Sequence, residues 1–250
     1  MATRYTRLGQ KEKSELLAKI IARSQRSKSG PTPVVVFDLD GTLMDNRPRT
    51  LQILRELGDH LKDRHPEDAA RLAAATLDGL DYLLTDSLNK LGVSSSEVVA
   101  EAESFWRERF FGDDHLRYDV EVPGAVAFAR ACYEAGAILV YFTGRDLPLM
   151  GIGSFRSLRD LGFPIGVPGT ELVLKPDANM PDEAYKRLEG PKLSRVGEVI
   201  AIFDNEPANC NILLELHPEC DSVFVDTQHL PGAPQLDDGI HVIEDFRFGT

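Results

Sequence analysis

The spacing of apolar positions changes character twice along the chain. Leu16, Leu17, Ile20 and Ile21 recur at helical spacing within residues 10–26. Residues 27–33, rich in Ser, Gly and Pro, read as a linker. Residues 34–37 (VVVF) are a short β-branched run, the pattern of a strand buried on both faces. From Asn46 to about Phe111 the period becomes helical. Leu51, Leu54, Leu57 and Leu61 predict a helix that starts just after Pro48. Leu72, Leu80, Leu83, Leu84, Leu88 and Leu91 predict a second, ended by Gly92. Ser94 with Glu97 predicts a capping box opening a third, which carries Val98, Ala102, Phe105 and Trp106.

After Pro123 strands and helices alternate. The pattern predicts a helix over 124–135 stopped by Gly136, a strand over 137–142, a helix over 153–161 and a strand over 171–174. A helix over 182–189, a strand over 199–203, a helix over 207–216 and strands over 222–225 and 240–243 follow. Repeated strand–helix–strand units with apolar strands imply an α/β fold with a doubly wound, mainly parallel sheet. Its first strand is followed by a helical insert. The expected divisions are 1–33 for an N-terminal helix and linker, 34–45 with 112–250 for the α/β core, and 46–111 for the insert.

Charge narrows the range of partners. The net charge is −12, yet residues 1–30 carry eight Lys/Arg against two Glu, so the remainder carries −18. An acidic body repels polyanions, which disfavours a nucleic-acid groove. The basic run at the N-terminus is expected to be a solvated helix face. Cys132, Cys210 and Cys220 show no CxxC spacing and are too few for a disulfide framework. With no run long and apolar enough to span a bilayer and no apolar leader, the expectation is a cytoplasmic protein without a membrane partner.

In sheets of this kind, function gathers at the carboxyl ends of the strands. Those ends read Asp38-Leu39-Asp40-Gly41-Thr42, then Thr143-Gly144-Arg145-Asp146, then Asp204-Asn205-Glu206. Asp38 and Asp40 enter one loop two residues apart, and such carboxylates repel unless a cation is shared. Oxygen donors without His or Cys indicate a hard ion, and Mg²⁺ is the usual one beside phosphates. The Gly151-Ile152-Gly153 pair lacks the third glycine and the preceding strand of a dinucleotide loop. Trp106 and Phe110 read as packing residues. Asp226 and His229 read as structural.

Three of these segments carry a resemblance. VVVFDLDGTL (34–43), FTGRD (142–146) and IFDNEPAN (202–209) resemble, in order, the first, second and fourth motifs of the haloacid dehalogenase superfamily. The resemblance implies a phosphatase-type core in which Asp38 is the nucleophile and forms an aspartyl-phosphate, while Asp40 is the general acid and base. It implies Mg²⁺ held by Asp38, the carbonyl of Asp40 and Asp204, with Asn205, or Glu206 through water, completing the shell. Thr143, the amides of Leu39 and Gly144, and one lysine would hold the phosphoryl oxygens, and Gly41 would permit the turn. The lysine is Lys186 or Lys175, with Lys192 a weaker choice. Arg145, and an arginine at the start of the insert (Arg47 or Arg49), are candidate substrate contacts; Asp146 is a candidate substrate or hinge contact. The insert resembles the family's helical cap, which favours a small phosphorylated metabolite as substrate. A sugar phosphomutase on the same core, or a retired binding protein, are the alternatives.

Overall fold

The computed structural model describes residues 5–27 and 29–249. Residues 1–4 and Lys28 of the basic segment, and Thr250, lie outside the described residues. Helix α1 (Gln10–Arg23) leads into strand β1 (Pro33–Phe37). A two-stranded antiparallel ribbon of β2 (Met44–Asp45) and β3 (Val120–Glu121) then brackets α2 (Arg47–Leu61), α3 (Pro66–Ala73), α4 (Leu84–Lys90) and α5 (Ser96–Phe110). The rest runs α6 (Ala125–Ala135), β4 (Ile138–Asp146), α7 (Leu147–Leu161), β5 (Thr170–Lys175), α8 (Asp182–Glu189), β6 (Glu198–Asp204), α9 (Pro207–Leu216), β7 (Asp221–Val225) and β8 (His241–Ile243). Six strands form one parallel sheet in the order β5-β4-β1-β6-β7-β8.

The continuous apolar strands have a direct cause: both faces of the sheet are covered. Val35, Phe37, Leu139, Tyr141, Ala201 and Phe203 pack with Leu16, Leu17 and Ile20 of α1 and Phe128 of α6. The alternate positions Val34, Val36, Val140, Phe142 and Ile202 pack on the other side with Tyr185 of α8 and Leu213 of α9. β1 lies between β4 and β6, so the ends of these three strands share one edge of the sheet.

The basic N-terminal segment keeps its expected solvated face at Lys11 and Lys19 but departs from it at Lys13. Lys13 is fully buried, and its Nζ lies 2.6 Å from both Glu244 and Asp245 near the C-terminus. Lys19 and Arg23 pair with Asp221 on β7. The segment is tied to the core by its apolar stripe and by ion pairs whose acidic members belong to the rest of the chain.

The helices between β2 and β3 build a separate apolar cluster around Leu54, Leu57, Leu61, Leu72, Leu88 and Ala102. Here two expectations fail. The leucines from 72 to 91 do not form one helix: α3 ends at Ala73, and α4 begins at Leu84. Between them Leu80 and Leu83 are extended, and the Leu80 carbonyl accepts from Gln228 Nε2 at 2.7 Å, a tertiary bond that outweighs local periodicity. The Ser94–Glu97 capping box is also absent. α5 is capped at Ser95, which places Glu97 at the second helical position, where it cannot reach back to the cap. Helix α7 starts six residues earlier than the predicted 153–161, with Asp146 as its N-cap accepting from Leu149 N at 3.0 Å. Gly153 lies inside that helix, packed so close to Asp113 that a Cβ there would meet the Asp113 carbonyl at 2.5 Å.

Candidate active site

The expected residues converge at the sheet's carboxyl edge. Asp38 and Asp40 leave β1, Thr143 and Arg145 lie at the end of β4, and Asp204 ends β6. The turn after Asp40 requires glycine: Gly41 has φ +75°, and a Cβ there would meet Asn205 Nδ2 at 2.2 Å. Thr42 Oγ1 donates to Asn205 Oδ1 at 3.2 Å, and Thr227 Oγ1 donates to the Gly41 carbonyl at 2.6 Å. Leu39 is fully buried, and its carbonyl accepts from the backbone N–H of Met44 at 2.9 Å.

Lys186 reaches Asp38 and Asp204 from α8, whereas Lys175, at the end of β5, is engaged elsewhere. The Lys186 ammonium donates to the Phe142 carbonyl at 2.6 Å and to Asp38 Oδ1 at 3.1 Å, and lies 3.1 Å from Asp204 Oδ2. Burial alone would discharge this lysine, but Asp204 and Asp38 hold its ammonium above the ordinary lysine value. The ammonium thus sits beside the expected nucleophile, as the sequence placed it, and between two carboxylates. Lys186 holds the two carboxylates together. Lys175 instead pairs with Asp182 at 2.6 Å and donates to the Met180 carbonyl, pinning the first turn of α8. Asp182 in turn sits against Gly144, where a Cβ would come within 2.5 Å of its carboxylate. Lys192 pairs with Glu189 on the surface.

The two aspartates of the first loop are in opposite electrostatic states. Burial pushes the Asp38 carboxyl well above its usual range, Asp204 and Asp40 add repulsion, and Lys186 offsets only part of this. Asp40 is also desolvated, but Arg145 and Arg49 overcome that and hold its carboxyl well below the usual range. Arg145 grips both oxygens at 2.8 Å, and Arg49 Nη2 adds a contact to Oδ1 at 2.6 Å. The two guanidiniums thus favour the carboxylate form of Asp40.

Several other expectations are redirected. Arg145 and Arg49 are buried and engaged by Asp40; both also bind Asp119, which sequence reasoning missed. Asp119 lies in no motif, and nothing in its neighbours marks it. Arg47 pairs with Asp45. Asp146 caps α7. Asn205 accepts from Thr42 through Oδ1 and donates from Nδ2 to the Gln228 carbonyl at 2.7 Å, so its side chain braces the loop. Asp226 accepts from Tyr5 and Arg7, and Trp106 stacks on Phe110 at 4.3 Å within the helical segment.

The residues present fit a hard cation. Asp204 Oδ2 is buried and, apart from Lys186, has no partner among the described residues. Asp204 Oδ1 accepts from Glu206 N at 2.9 Å and from Asn209 Nδ2 at 3.3 Å, which fixes the carboxylate in place. No group of three His, Cys, Asp or Glu side chains is close enough to hold a metal alone among the described residues, so backbone and substrate oxygens would complete the shell. Beside them, burial pushes the Glu206 carboxyl up to about 7, with Leu230 N–H and the hydroxyl of Tyr82 pulling the other way. Tyr82 comes from the helical segment, so that segment reaches the site's rim. A cavity of about 610 Å³ opens at the start of α8, lined by Pro181, Asp182, Glu183, Arg187 and Leu230. Thr143 is buried, with Oγ1 accepting from Arg145 N at 3.3 Å. Among the described residues no helix is long and apolar enough to cross a membrane.

Comparison with known proteins bears on this arrangement. The family model described as haloacid dehalogenase-like hydrolase matches residues 32–169. A phosphatase candidate from Clostridium difficile is 15% identical with a TM-score of 0.53, covering 85% of this chain and 94% of its own. A HAD-superfamily hydrolase of subfamily IA from Geobacter sulfurreducens is 14% identical with a TM-score of 0.53, covering 89% and 97%. At these identities the likeness is one of fold. No curated protein matches the chain by sequence.

Proposed function

The chain belongs to the haloacid dehalogenase-like hydrolases, and on that premise we propose that it is a Mg²⁺-dependent phosphatase acting on a small phosphate monoester through an aspartyl-phosphate on Asp38. The observation that carries this reading is the Lys186 ammonium bridging Asp38 and Asp204 at 3.1 Å each, on the ends of adjacent strands. It gives a buried nucleophile, a second carboxylate and a fixed positive charge in one place.

A carboxylate oxygen of Asp38 attacks phosphorus, the bond to the leaving oxygen breaks in line, and that oxygen takes a proton from Asp40, which recovers one from water in the second half. The Thr143 hydroxyl and the amides of Leu39 and Gly144 hold the phosphoryl oxygens. Lys186 keeps Asp38 and Asp204 from driving each other apart. In the second half a water oxygen attacks the same phosphorus, the bond to Asp38 breaks, and the water's proton passes to Asp40. Mg²⁺, held by Asp38, Asp204 and the Asp40 carbonyl, would supply charge neutralisation for the phosphoryl oxygens. Because two guanidiniums favour the Asp40 carboxylate, esters with acidic leaving groups should turn over fastest. The helical segment acts as a cap that excludes water and bulky substrates.

The test is phosphate release from p-nitrophenyl phosphate and a set of small phosphorylated metabolites, with Mg²⁺ and with EDTA. The expected result is turnover that chelation abolishes and that Asp38→Asn lowers by at least about a hundredfold. Turnover by Asp38→Asn close to wild type would remove this reading.

A further inference from the structure

Asp40, partly exposed, is held in a closed network with three buried charges. Arg145 donates from Nε to Asp40 Oδ2 and from Nη2 to Oδ1, both at 2.8 Å, and the same Nη2 reaches Asp119 Oδ2 at 2.7 Å. Arg49 donates from Nη2 to Asp40 Oδ1 at 2.6 Å, and from Nε and Nη2 to the two oxygens of Asp119 at 2.8 and 2.9 Å. Arg49 also donates to the Phe110 carbonyl at 2.9 Å, and its guanidinium lies over the Phe110 ring at 4.2 Å. Arg145 completes its set on Ser154 Oγ at 3.3 Å.

The two oxygens of Asp40 are not equivalent in this network. Oδ1 receives Arg49, Arg145 and, at 3.3 Å, Asn46 Nδ2. Oδ2 receives only Arg145 Nε among the described residues. The Asp40 side chain is 29% exposed, while those of Arg49, Arg145 and Asp119 are 0%, 1% and 0% exposed. Oδ2 is thus the oxygen with lone-pair capacity left for a water, and the bidentate grip prevents the carboxylate from exchanging its two ends.

Asp119 is what keeps both guanidiniums in that grip. It sits where the chain returns from the helical segment, one residue before β3, and Arg49 sits where it leaves, in the first turn of α2. Without Asp119, two buried guanidiniums would face one carboxylate, an uncompensated charge that forces at least one of them to move. We propose that Asp119 is a positioning residue for Asp40: by clamping Arg49 and Arg145 it fixes the orientation in which Asp40 Oδ2 accepts the proton of the attacking water. This rests on the aspartyl-phosphate reading above.

Rapid-quench kinetics with p-nitrophenyl phosphate separates the two halves of the reaction. The leaving group needs no proton, so the first release of p-nitrophenolate reports attack by Asp38. Steady-state release of inorganic phosphate reports hydrolysis of the intermediate. In Asp119→Asn the steady-state rate per active site should fall at least about tenfold while the first-turnover rate stays within about threefold of wild type, and protein-bound phosphate should accumulate. Asp119→Glu should recover part of the loss. The burst amplitude counts active molecules, so a smaller folded fraction does not change the comparison. Should Asp119→Asn give no folded protein, the charge-balanced pair Arg49→Met/Asp119→Asn is measured in the same way, with the same split expected. Equal loss in both halves, or loss in neither, overturns the proposal. If wild type itself forms no aspartyl-phosphate, the failure belongs to the proposed function and not to Asp119 alone.

Discussion

Lys186 and Lys175 show how far the role of a single residue depends on what its charge meets. Sequence placed both near the strand ends, since one follows a strand and the other opens a helix. The structure gives Lys186 two buried carboxylates and a carbonyl, and gives Lys175 the half-exposed Asp182. Removing Lys186 leaves Asp38 and Asp204 facing each other in a buried setting, a loss on the order of 3–5 kcal/mol. Lys186→Ala should therefore lower kcat by about a hundredfold or more and also lower thermal stability. Lys175→Ala, which only loosens the start of α8, should cost less than about tenfold. Parallel assays at saturating Mg²⁺ with thermal melts check this. A Lys175→Ala enzyme as damaged as Lys186→Ala would show that Asp182, not Lys186, governs the geometry. The residue that sequence could not supply was Asp119, because its partners lie 70 and 26 positions away and no periodicity links them.

The elements of the core were legible because both faces of the sheet are covered, which leaves β-branched and aromatic runs that few other arrangements produce. β1, β4 and β6 and the helices between them follow the predicted order. Where the reading failed, a long-range contact had replaced a local preference, as at Leu80 with Gln228 or at Gly153 with Asp113. Helix α1 is the element whose role changed most. Burial disfavours the Asp221 carboxylate, but hydrogen bonds from His241, Lys19 and Arg23 hold its carboxyl well below the usual range. A carboxyl depressed in this way stabilises the fold above its unfolded value of about 4, and that stability is lost as pH falls toward its folded value. Asp221→Asn should lower stability at pH 7 by about 1–2 kcal/mol, read from urea midpoints. The gap to wild type should narrow progressively as pH is lowered below about 4. A gap that stays constant with pH would show that α1 is held by its apolar stripe alone.

At the scale of the whole molecule, the fold brings together three strand ends and one helix that are far apart in sequence. Asp38 and Asp204 are joined by a lysine 148 positions from Asp38, while the ribbon of β2 and β3 carries the helical segment and brings Tyr82 to the rim. The acidic balance of the chain is compatible with this, since the charges that matter are local: an ammonium between two carboxylates, and two guanidiniums behind a third. The account stands or falls on where the phosphoryl group is carried. The most direct measurement uses Asp40→Asn, in which the water's proton has no acceptor, so the intermediate should persist. The protein is quenched in acid during reaction with p-nitrophenyl phosphate and Mg²⁺, and its peptides are mapped by mass spectrometry. The account predicts one phosphate bound to Asp38. Phosphate on any other residue, or p-nitrophenolate released with no phosphorylated protein, would contradict it.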